Sequence, residues 1–135
     1  MKKILVAFDG SEGSEQALNR AMMLIEEFGE LILLAVIPSP SEKKFVDEEM
    51  YNMLRKKAEN LIKNVIADIG LHDFTITGIV DDGDPAAVII DVANKLNVEL
   101  IVLGCKGTSE LGQYLIGSVA NKVVQYAYKP VMLVR

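Results

Sequence analysis

Five short apolar runs, separated by stretches of helical periodicity, predict an α/β fold: a single-domain, doubly wound (Rossmann-like) five-stranded parallel sheet with helices on both faces. Three observations carry this expectation. The runs show little polar alternation, as strands covered on both faces do. The segments between them place apolar residues at helical spacing. A glycine-rich stretch, GCKGTSELGQYLIGS from Gly104 to Ser118, begins where the fourth run ends, at the carboxyl end of a strand, where such sheets take ligands.

The first run, Ile4–Phe8, passes into DGSEGS, and a stripe of Ala17, Leu18, Ala21, Met22, Leu24, Ile25 and Phe28 predicts a helix closed by Gly29. Leu31–Ile37 is the second strand. Residues 38–46 (PSPSEKKFV) read as a surface connection into a helix carrying Met50, Met53, Leu54, Ala58, Leu61, Ile62, Val65, Ile66 and Ile69, closed by Gly70. Thr75–Val80 is the third strand. In GDPAAVIIDVANKL, Asp84 is a natural N-cap with Pro85 at the first helical position. Leu100–Leu103 is the fourth strand. A last helix runs through Val119, Ala120, Val123, Val124 and Ala127, halts before Pro130, and leads into the strand Val131–Val134. No internal repeat or low-complexity tract interrupts the pattern, so one domain spans residues 1–135.

Composition narrows the function. With 14 Lys and Arg against 19 Asp and Glu, the net charge is −5, and no run of basic residues is longer than the three of Arg55-Lys56-Lys57. Nucleic acid is therefore not an expected partner. The longest apolar run, Leu31–Ile37, falls far short of the roughly 20 residues needed to span a membrane. The one cysteine, Cys105, has no internal disulfide partner, and His72 is the one histidine, which leaves no His/Cys metal cluster. The expected location is cytoplasmic.

In the doubly wound order, the ends of the first and fourth strands meet where the strand order reverses. The first turn lacks G-x-G-x-x-G, and the P-loop pattern is missing too. The segment at the fourth strand reads instead G-x2-G-x9-G-S through Gly104, Gly107, Gly117 and Ser118. Gly104 would let a flat or sugar-like group lie against bare backbone. Gly107 permits a positive-φ turn that aims N–H groups inward. Gly117 and Ser118 start a helix whose unpaired N–H groups and dipole suit phosphate.

This pattern, with a first strand ending in FDGS, GDPA before the third helix and a closing KPVMLVR, resembles the universal stress protein family along the whole chain. The resemblance implies strand order 3-2-1-4-5, a homodimer, and the subgroup that binds ATP with Mg²⁺. It puts Asp9 beside the ribose or the phosphate-bound metal, and adenine near Ala7, Val36 and Ile37, held largely by main-chain groups. Gly104, Gly107, Gly117, Ser118 and Val119 would hold ribose and phosphates, and Lys106 is a candidate phosphate contact beside them. Many ATP-binding members carry basic residues where this chain has Thr108 and Gln113, and Lys106 alone supplies positive charge between Gly104 and Ser118.

Plainer readings stand beside these. Asp9 can simply cap the first turn through an Asx-type bond. Lys106 can be a solvated loop lysine. Asp81, Asp82 and Asp84 lack the ligand spacing of a calcium loop and read as a turn plus a helix cap. Met22, Met23, Met50 and Met53 read as core filling, and His72 as exposed. The expected function is a nucleotide-dependent regulator of stress physiology with a protein partner that the sequence does not name. The alternatives are a slow ATPase or nucleotidyl-transfer enzyme and a ligand-free dimerisation module. Arg20, Arg55 and Arg135 all lie far in sequence from the glycine segment, so the clamp that fast phosphoryl transfer needs is absent from it. A phospho-acceptor receiver is excluded because Asp9 lacks an acidic neighbour. An apolar edge strand at Val131–Val134 would pair with a second copy.

Overall fold

The structure, a computed structural model, describes residues 1–40, 47–105 and 116–135. Nine elements follow one another: β1 (Lys3–Ala7), α1 (Glu12–Leu24), β2 (Glu30–Ile37), α2 (Glu48–Ile69), β3 (Thr75–Asp82), α3 (Pro85–Lys95), β4 (Leu100–Gly104), α4 (Ser118–Tyr126) and β5 (Val131–Val134). All strand pairs are parallel, in the order β3-β2-β1-β4-β5. This is the expected doubly wound sheet.

The missing polar alternation has a direct cause. Along β1 and β2, Ile4, Val6, Leu31 and Leu33 point to a core shared with α1 and α2. Their neighbours Leu5, Ile32 and Leu34 point to a second core shared with α3 and α4. Both faces are dry, so every position from Ile4 to Ala7 and from Leu31 to Ile37 is apolar.

Helix starts are set locally. Ser11, Asp47 and Asp84 cap α1, α2 and α3, each accepting a hydrogen bond from a first-turn amide, those of Ser14, Met50 and Ala87. Such a cap is worth about 1 kcal/mol. Gly70, at φ 74°, ends α2 as its position in the sequence suggests.

The end of α1 is set from outside the helix. The apolar stripe runs on to Phe28, yet the helix stops at Leu24. The Met1 carbonyl accepts from the Glu26 amide at 2.8 Å, and the Met1 ammonium lies 2.9 Å from the Glu26 carboxylate. The start of β1 thus draws the chain out of the helix, and Phe28 is left in the left-handed region (φ 63°) with its ring 87% exposed. The methionines also depart from expectation. Met22 packs against the core, but Met23, Met50 and Met53 lie on the solvent side of their helices.

β3 extends past Val80, pairing Asp81 with Val36 and Asp82 with Ile37. The Asp82 carboxylate accepts from the Ser39 hydroxyl at 2.5 Å and from the Tyr51 hydroxyl at 3.1 Å, and Arg55 donates to Tyr51 at 3.0 Å. Ser39, then Tyr51 and more weakly Arg55, hold this carboxyl below its ordinary value of 3.8 against the opposing effect of burial. The folded chain therefore keeps Asp82 charged at lower pH than the unfolded chain does. Its contribution is complete above the ordinary carboxylate range and is lost as pH falls through the lowered folded value. The stability gap between wild type and Asp82→Asn, read from urea midpoints, should be wide at neutral pH and narrow as pH falls below the ordinary carboxylate value. A gap that is constant with pH would show that the charge contributes nothing.

Candidate functional site

The crevice at the switch point follows from unequal strand lengths. β1 ends at Ala7, opposite Leu34, whereas β2 continues to Ile37 beside β3. The Phe8 amide still reaches the Leu34 carbonyl at 2.8 Å, after which the chain turns away through Asp9. Main-chain groups alternate sides along a strand. The Leu34 carbonyl faces β1 and the Ile37 carbonyl accepts from Gly83 on the β3 side at 3.0 Å, so the N–H and C=O of Val36 face the space that β1 has vacated.

That space is a cavity of about 390 Å³, within the range of small-molecule sites. Apolar walls come from Leu34, Val36, Ile89 and Leu103, with Pro85 at the start of α3. Asp9, Ser14, Gly104 and the first turn of α4 complete it.

The α1 end is already satisfied. Gly10, at φ 83°, lets the chain double back after Asp9, and the Ser11 amide donates to Asp9 Oδ1 at 2.9 Å. The Asx-type turn weighed for Asp9 is therefore formed. Ser14, only 3% exposed, donates to the Ser11 carbonyl at 2.9 Å and accepts from the Asp9 amide at 3.3 Å. Glu12 and Glu15 sit in the first turn of α1, which makes that terminus hostile to an anion.

α4 is built the opposite way. Its N-cap, Gly117, makes no side-chain hydrogen bond to the first turn, and that turn carries no acidic residue. The first residues of α4, with Gly117 before them, line the cavity through Ser118, Val119 and Ala120. Gly117 sits at φ −64° and ψ 161°, a conformation open to any residue.

Of the residues singled out in the sequence, Ala7, Asp9, Val36, Gly104, Gly117, Ser118 and Val119 line this one cavity. Ile37 does not. It belongs to the opposite core, with α1 and α2, because successive strand residues face opposite sides. Lys106 and Gly107 lie outside the described residues, as do Thr108 and Gln113. The lining residues missed were Phe8, Ser14, Leu34, Pro85, Ile89, Leu103 and Ala120. Two signals could have found some of them: Leu34 is one strand repeat before Val36, and Ile89 is one helical turn after Pro85.

Gly104 also has a packing reason to be a glycine. An ideal Cβ would lie 2.6 Å from the Gly13 carbonyl carbon and oxygen, so the glycine lets the end of β4 pack against the first turn of α1. Among the described residues, no cluster of His, Cys, Asp and Glu is arranged to hold a metal, and no helix is long and apolar enough to cross a membrane.

Fold and crevice together define an open α/β domain with its cavity at the topological switch point. The chain belongs to the universal stress protein family, whose model matches residues 1–135. The universal stress protein YxiE of Bacillus subtilis is 35% identical over 149 aligned residues, covering 98% of each chain. A universal stress protein of Methanocaldococcus jannaschii is 30% identical over 99% of this chain and 94% of its own. The solved structure of that archaeal protein superposes with a TM-score of 0.81 over 98% of this chain and 94% of its own. An AMP-bound family member from Arabidopsis thaliana shares the fold, with a TM-score of 0.64 at 20% identity over 99% of this chain and 91% of its own.

The two contacting glycines differ in a way that unfolding can measure. Gly104→Ala drives a Cβ into the Gly13 backbone and should destabilise by about 1–3 kcal/mol, the usual cost of overpacking. Gly13→Ala meets only the Gly104 Cα, at 3.8 Å, inside a helix, and should be neutral or stabilising by up to about 1 kcal/mol. Equal urea midpoints for Gly104→Ala and wild type would refute the packing role.

Proposed function

We propose that the crevice binds an adenine nucleotide, ATP with Mg²⁺, and that occupancy governs how a homodimer meets a protein partner. One observation carries the reading: the outward main chain of Val36, the acidic Asp9 turn and the uncapped start of α4 open into a single cavity. Adenine is a flat group with a donor and an acceptor on one edge, suited to the Val36 N–H and C=O between apolar walls. Phosphate suits the leading amides of α4, with the Ser118 hydroxyl beside them. The AMP-bound Arabidopsis relative supports the ligand class.

The residues fit a magnesium nucleotide. Asp9 is the carboxylate at the rim, and a carboxylate has about four acceptor positions, so its turn bond to Ser11 is compatible with a ribose hydroxyl or a metal. Bound Mg²⁺ would offset the repulsion between Asp9 and the phosphates.

Gly117→Val is the test, because the backbone there admits any residue while the added side chain crowds the start of α4. Calorimetry should show ATP binding by nucleotide-free wild type and at least about a tenfold loss in this variant. Full affinity in a folded Gly117→Val chain would refute the phosphate assignment.

The dimer reading rests on β5. The Pro130 and Val134 carbonyls accept from the Ile101 and Cys105 amides, so the main chain of Val131 and Leu133 faces outward along an edge with no further strand among the described residues. Val131, Met132 and Leu133 are only half-buried, and Tyr126 and Tyr128 are exposed nearby in sequence. Antiparallel pairing with the same strand of a second copy would satisfy this edge and close the assembly. Light scattering at low micromolar concentration should give twice the chain mass. Leu133→Pro, which removes an outward donor and spares the ladder to β4, should give monomer. A wild-type monomer at every concentration would end the dimer proposal.

A further inference from the structure

The relay from Arg55 through Tyr51 to Asp82 and Ser39 lies outside the crevice lining but anchors two segments that form it. We propose that Tyr51 and Ser39, acting through Asp82, are positioning residues that set the Val36 main chain where it selects adenine over guanine. This inference rests on the nucleotide reading above.

Past Leu34, β2 has lost β1 as a neighbour, and its partner there is the end of β3. β3 is itself an edge strand, with no strand beyond it among the described residues. The two strand ends would therefore be held laterally only by each other, were it not for the relay. The Ser39 hydroxyl ties the exit of β2 to Asp82, and the Tyr51 hydroxyl ties Asp82 to α2. Arg55 steadies Tyr51 at 3.0 Å and lies 3.9 Å from Glu59 one turn along the helix. The anchor reaches the crevice by two short paths: back from Ser39 to Val36, and forward from Asp82 through Gly83 and Asp84 to Pro85.

Position matters here because the discrimination is one of polarity. Adenine offers an acceptor at N1 and a donor at its amino group. Guanine presents a donor at N1 and an acceptor at O6 in the same places. Against the N–H and C=O of Val36, guanine sets donor on donor and acceptor on acceptor, and a mismatch of that kind discriminates far more strongly than a change of size. Hydrogen bonds lose strength quickly with displacement, so a strand end free to shift would read the base poorly.

Tyr51→Phe removes only the hydroxyl on the α2 side, and Ser39→Ala only the one on the β2 side. Competition titration with ATP and GTP should show ATP affinity falling about tenfold in each variant while GTP affinity changes by less than about twofold. The adenine preference then shrinks by the same factor. Parallel loss for both nucleotides, or a lower unfolding temperature with an unchanged ATP-to-GTP ratio, would mark the relay as merely structural and overturn the inference. Wild type that binds ATP and GTP equally would also overturn it, leaving nucleotide binding intact. Wild type that binds neither would remove the nucleotide reading itself.

Discussion

Where β4 ends, its backbone lies against the first turn of α1, and a pair of glycines makes that approach possible. Gly104 has no room for a Cβ beside the Gly13 carbonyl. Much of the site depends on this contact. It brings the start of α1 to the end of β4 across the switch point, which places Ser14 at the base of the cavity. Asp9 is directed by the same turn, because the buried Ser14 hydroxyl accepts its amide. One backbone contact thus shapes a wall of the crevice before any ligand is considered.

Three helices begin at this crevice, and their chemistry is divided; α3 is capped by the Asp84 carboxylate. α1 has a serine cap and two glutamates in its first turn, so its positive end is already answered. α4 begins at a glycine, which has no side chain to cap it, and its first turn carries no acidic residue. An anion therefore has one favourable pole. Asp9 lies in the cavity lining on the α1 side. The polarity of the site follows from residues a few positions apart in each turn.

Much of this was legible beforehand, and the exceptions are informative. The strands of the sheet could be read because both faces are buried, which leaves continuous apolar runs. The caps at Asp84 and Gly70 could be read because they act on their own helix. The end of α1 could not, since Met1 and Glu26 interact across the fold. The resemblance put Ile37 beside adenine with Val36, but neighbours on a strand face opposite ways, and only the structure shows which face holds the crevice. Met23 and Met53 were assigned to the core by residue type, yet both are about 70% exposed.

The amino-acid sequence by itself determined the alternation of strands and helices, the doubly wound class, most helix starts and the region where a ligand would sit. Those features depend on local propensity, capping and periodicity, which act over a few residues. The tertiary structure alone decided why Gly104 is a glycine, which face of β2 the cavity occupies, and that Tyr51 and Ser39 converge on Asp82. These depend on which segments meet in space. Asp82 and Tyr51 are distant in the chain, and no periodicity brings them together; the pairing of β2 with β3 and the packing of α2 over β3 do.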